Sequence, residues 1–181
     1  MERFRQSKAA ACAAAILVLS GGAARGADAT VPAKADGVRL DGRWFEEPVR
    51  RAVHGAGRRL AEPSCAAVLG DFRDPAGRRL ADRLGALSLA PEDYARLVLF
   101  YDGSNDDPCR RPRVYAFTSP GSRVVRACPT LGALAAARPG EAEAVVIHEL
   151  LHTLGLGDDR PSSAWITAAV ESRCLRADAR R

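Results

Sequence analysis

A chain of 181 residues with a formal net charge of +5 is long enough for one domain with a real core and short for two. Residues 1–26 hold four of the basic and one of the acidic side chains, so the remainder carries only +2. Its arginine pairs, Arg50-Arg51, Arg58-Arg59, Arg78-Arg79 and Arg110-Arg111, are scattered and interrupted by acids, which describes a solvated surface and argues against a nucleic-acid partner.

At the N-terminus, Arg3, Arg5 and Lys8 lead into an apolar run over 9–20, the length of a signal-peptide core and too short to span a bilayer. Ala24-Arg25-Gly26 and Ala27-Asp28-Ala29 both offer the small-x-small pattern of a cleavage site. Residues 1–26 are therefore expected to be a signal peptide, and the mature protein to be exported to a periplasm or the extracellular space. No cysteine sits at a lipoprotein-style cleavage site and Arg3 and Arg5 are not adjacent, so no stable membrane anchor or twin-arginine export is expected. Cys12 leaves with the leader. Cys65, Cys109, Cys128 and Cys174 remain, an even set without a CxxC pair, which in an exported domain reads as two disulfides. Of three connectivities the preferred one joins Cys109 to Cys128, across an expected hairpin, and Cys65 to Cys174, tying an early helix to the last.

Residues 27–47 are small, polar and punctuated by Pro and Gly, and are expected to form a flexible tail before a single domain over 48–181. Val49, Ala52, Val53, Ala56 and Leu60 recur at helical spacing behind Pro48, predicting a first helix over 48–60. The apolar run 66–72 fits a strand or a continuation of that helical region. Short helices are expected over 77–87 and 91–95, then a strand over 96–101. The segment 102–108 lacks the glycine and terminal glutamate of a helix-loop-helix calcium site and reads as a solvated turn. Runs 113–118 and 123–127 flank Pro120-Gly121 and predict a hairpin. The rest reads as helical. One helix opens at Pro139-Gly140-Glu141 and ends at Gly155, and a last one runs from a Ser162 or Ser163 cap to about Arg176. The fold class is α+β, with a small mixed or antiparallel sheet packed on a buried helix.

The helix before Gly155 carries His148-Glu149-Leu150-Leu151-His152. Residues four apart share a helical face, so both imidazoles can grip one ion, while Glu149, about 100° away, can contact water beside it without being a ligand. Val146, Ile147, Leu150, Leu151 and Leu154 cover the remaining circumference, so the helix is buried and its polar groups need partners. With three His and nine Glu in the chain, chance placement produces His-Glu-x-x-His on the order of once in several hundred such sequences, which favours a metal site over ordinary helix histidines. A hydrolytic zinc site takes three protein ligands and water. Asp158 is the preferred third ligand, because the chain reverses at Gly155 and can return a carboxylate to the two rings. Asp159 is the fallback. Glu171 sits about 140° from Ile166 on the last helix and should point away from the core. His54 reads as structural or exposed.

The run His148-Glu149-x-x-His152-x-x-Gly155-x-x-Asp158 resembles the zincin metallopeptidases, in the variant of small secreted bacterial zincins of the snapalysin type, and HELLHTLGLG also resembles uncharacterised exported bacterial proteins. The match covers about eleven residues, and the methionine turn of the metzincins is missing, since Met1 is the chain's one methionine. The resemblance implies a zincin-like fold and Zn²⁺ on His148, His152 and Asp158. It also implies Glu149 as the acid-base group in peptide hydrolysis, and a sheet edge within 113–127 that pairs with an extended peptide substrate. Tyr101, Tyr115 and Arg160 are candidate partners for a developing oxyanion. The competing expectations are a metal-stabilised envelope scaffold, in which a fourth protein ligand such as Asp159 closes the site, and a zinc amidase acting on cell-wall material.

Overall fold

The computed structural model describes residues 37–40, 43–157 and 159–175, all within one compact unit, Ala33–Arg181. The expected signal peptide lies outside the described residues. Four short strands form a mixed sheet in the order β1-β2-β4-β3. β1 (Val38–Arg39) runs parallel to β2 (Leu99–Asp102), β2 runs parallel to β4 (Val124–Ala127), and β3 (Ala116–Phe117) closes the expected hairpin antiparallel to β4. Val38, Phe100, Val125 and Ala127 are buried on one face, while Leu99 and Tyr101 between them are exposed, the period-two pattern of a sheet covered on one side.

The helices supply the cover. α1 (Arg43–Leu60) buries Val49, Ala52, Val53, Ala56 and Leu60, the stripe expected of it, but begins a turn before Pro48. Proline costs this helix one intrahelical bond near its start, and the extra turn buries Phe45 against Gly132, where an added Cβ would stand 2.3 Å from the Phe45 Cβ. The expectation of a flexible tail to residue 47 is corrected accordingly, because Val38–Arg39 pair with β2 and ordered helix starts at Arg43. Gly37 makes the entry to β1 possible. Its φ is +67° and a side chain there would collide with the Val98 carbonyl.

The ambiguous run 66–72 is helical, split between α2 (Pro63–Ala66) and α3 (Val68–Asp71). α4 (Leu80–Ala86) and α5 (Pro91–Leu97) follow as expected in kind, and α6 (Pro129–Ala137) leads through Arg138 into α7 (Pro139–Thr153). α7 is the central element. Every residue from Val146 to Thr153 is buried, with α1, α6 and α8 (Ser163–Cys174) around it and β3 and β4 beside it. Burial of Ile147, Leu150 and Leu151 alone contributes roughly 1.5–3 kcal/mol each. Its polar residues are answered where they meet the core. Tyr94 donates to Thr153 Oγ1 at 3.0 Å, and Thr153 donates to the Leu150 carbonyl at 2.7 Å. Burial pushes the Tyr94 phenol pKa up, which keeps it a donor.

Both preferred disulfides form, Cys65–Cys174 between α2 and α8 and Cys109–Cys128 across the approach to the hairpin. Two intramolecular disulfides suit an oxidising, exported environment. Among the described residues no helix is long and apolar enough to cross a membrane.

Candidate metal centre

α7 places His148 and His152 one turn apart, and their rings turn toward each other, with Nε2 atoms 3.0 Å apart and ring centroids at 4.9 Å. Each ring is held from behind through Nδ1. His152 Nδ1 donates to the Leu156 carbonyl at 2.8 Å, and His148 Nδ1 lies 3.0 Å from the Thr167 hydroxyl of α8. Burial, reinforced by the neighbouring His152, lowers the His148 pKa to about 4, so that ring is neutral at pH 7, the form in which imidazole binds metals.

The glycine exit sets the reach of Leu156. Gly155 has φ +104°, and a Cβ there would stand 3.0 Å from Arg83 Nη1 and 3.7 Å from the Asp74 Cβ. Asp74 in turn is buried and accepts from the Arg78 backbone and guanidinium and from Arg83 at 2.8 Å. These bonds, the Arg78 backbone N–H first, hold its pKa down to about 2. The chain turns over this fixed carboxylate immediately after α7, which brings the Leu156 carbonyl back onto His152.

Glu149 is buried beside the pair and, with His148, lines a cleft of about 240 Å³. One wall is the lead into β3, residues 113–116, and the other is the N-terminal half of α8, with Ser163 and Thr167. β3 is an edge strand. The Cys128 N–H donates to the Tyr115 carbonyl at 2.9 Å, so by the alternation of an antiparallel ladder the peptide groups of Ala116, opposite Ala127, point away from β4. The hairpin is pinned to the same helix, because the Gly121 N–H donates to the His152 carbonyl at 2.8 Å.

The donor set fits a metal ion as far as the described residues reach. Two nitrogens bound to one zinc at tetrahedral geometry stand about 3.4 Å apart, a few tenths of an ångström from the 3.0 Å observed. Among the described residues no group of three His, Cys, Asp or Glu side chains converges. The expected third ligand, Asp158, lies outside the described residues. Asp159 is exposed, Glu171 is exposed on α8, and His54 is exposed on α1. Of the oxyanion candidates, Tyr115 lines the cleft, while Tyr101 and Arg160 are exposed. Thr167 and the Leu156 carbonyl were not singled out from sequence. Thr167 borders the apolar stripe of α8, and nothing in the local pattern says which helix it meets. No protein-family model matches the chain, nor does any curated protein or solved structure match it significantly.

Proposed function

We propose that this protein is an exported zinc-dependent metallohydrolase that cleaves peptide bonds, with His148, His152 and Asp158 as zinc ligands and Glu149 as the acid-base group. The reading is carried by one observation, the two imidazole Nε2 atoms facing each other beside a buried glutamate in a cleft bounded by a strand edge. A zinc ion held there supplies Lewis acidity to a substrate carbonyl and lowers the pKa of water toward about 7. Glu149 takes the proton from the attacking water and delivers it to the departing amine. Ala116 offers its outward N–H and C=O to an extended peptide, which adds as a further strand and lays its backbone past Glu149. Tyr115 lines the same cleft and is the candidate donor to oxygen charge that would develop at the carbonyl.

Metal analysis of the purified protein together with Glu149→Gln on a broad peptide library tests the reading. Wild type should carry about one zinc per chain and cleave, while the variant keeps its zinc and loses roughly 10²–10⁴-fold in rate. Zinc uptake with no cleavage by either form would instead support a structural metal site. Absence of zinc uptake removes the basis of the proposal.

A further inference from the structure

The cleft beside the histidine pair carries one fixed positive charge. Among the described residues that line it, Glu149 is the one carboxylate and Arg113, on the wall that leads into β3, the one guanidinium. The backbone that presents this arginine is unusual. Pro112 is followed by Arg113 at φ +66°, the pattern of a turn whose second central position ordinarily takes glycine. A side chain at that φ crowds its own backbone, so glycine would make the same turn at lower cost, and what arginine adds there is its guanidinium. Strained backbone of this kind gathers at ligand-binding positions. The guanidinium is exposed and meets no acid among the described residues, whereas Arg110 and Arg126, before and after it in sequence, pair with Asp107 and Asp106.

We propose that Arg113 is a specificity-determining residue that pairs with a carboxylate side chain of the bound peptide, so that the cleft selects acidic substrates. The inference rests on the reading above, in which a peptide adds as a strand along the free edge of β3. Arg113 lies three residues ahead of Ala116, whose peptide groups face outward, and at about 3.3 Å per extended residue that separation is roughly 10 Å. The acidic residue recognised is therefore about three places along the peptide from the one that pairs with Ala116. Arg113 reads a flanking side chain and leaves the reacting carbonyl to other groups. Its forked N–H donors match the two oxygens of a carboxylate, and its charge persists at every working pH.

The test uses the disulfide-bonded protein carrying Glu149→Gln, so that peptides persist, and supplied with Zn²⁺. Fluorescence anisotropy measures binding of labelled, end-blocked Ala/Thr peptides in which one Glu, or one Lys, is walked from position to position. With Arg113 present, Glu at one position should bind about two- to fivefold more tightly than the neutral parent peptide, and the gain should fade as salt rises. Adding Arg113→Gln should bring that ratio to about one, and adding Arg113→Glu should transfer the preference to Lys. Both substitutions keep a non-glycine residue at the turn, and thermal unfolding checks that the fold is retained. A Glu preference that survives Arg113→Gln, or no preference at any position, overturns the inference, and leaves the hydrolase reading standing where the protein with Glu149 intact cleaves neutral peptides. A preference that reverses with the charge at 113, in a protein that cleaves nothing, upholds the inference and overturns the hydrolase reading.

Discussion

Arg59 of α1 pairs with Glu143 of α7 and at the same time donates through Nη1 to the Cys174 carbonyl of α8 at 2.7 Å, so one guanidinium joins α1 and α8 to the helix that carries the histidine pair. Glu143 lies directly on Gly55, where an added Cβ would overlap its carboxylate. Both charged side chains are mostly buried, at 18% and 13% exposure. Removing one partner strands the other. Arg59→Ala should therefore lower unfolding stability by about 3 kcal/mol, measured by urea denaturation, and Arg59→Met combined with Glu143→Leu should recover much of it.

The two disulfides should differ in worth. Cys65–Cys174 spans a sequence separation of 109 and Cys109–Cys128 one of 19. Loop-closure entropy predicts losses of about 5 and about 3 kcal/mol on removing them. Paired Cys→Ala variants, unfolded in parallel, should rank in that order.

Asp74 should make stability depend on acid. Its pKa is about 2 in the folded protein against an ordinary value of 3.8, so the unfolded chain takes up the proton first as pH falls. The contribution is fully present above about pH 4 and is lost as pH drops through about 2. Thermal unfolding of wild type across this window should show a fall that Asp74→Asn lacks, and the variant should be the less stable protein at pH 7.

Gly155 couples backbone geometry to the candidate metal site. Gly155→Ala places a side chain at φ +104° and against Arg83, which should destabilise the fold by about 1–2 kcal/mol. It should also displace the Leu156 carbonyl that orients His152, so that Zn²⁺ affinity falls together with thermal stability. Affinity unchanged in a destabilised variant would show that Leu156 does not set the ring.

The legible parts of the sequence were those where one pattern decides the outcome alone. The apolar circumference of α7 and the Pro-Gly turn of the β3–β4 hairpin each named their element. The cysteines flanking that hairpin, and the pair joining an early helix to the last, indicated their bridges. What was not legible depended on partners distant in sequence. Val38 and Arg39 are strand residues because β2 lies beside them, and the first turn of α1 persists because Phe45 meets Gly132 of α6. The run 66–72 was ambiguous because short apolar stretches carry no period, and the bond from Cys65 to α8 goes with the helical form. At the site, His148, Glu149 and His152 stand together as their spacing demands. Thr167, nineteen residues beyond His148, is brought there by α8 packing on α7.

The two cross-links also bear on survival among proteases. The Cys109–Cys128 ring encloses β3, and the Cys65–Cys174 ring encloses nearly everything from α2 to α8. A single nick anywhere within the larger ring opens the backbone but frees no fragment. On a non-reducing gel the clipped protein should migrate as one species, and the pieces should separate only after thiol treatment.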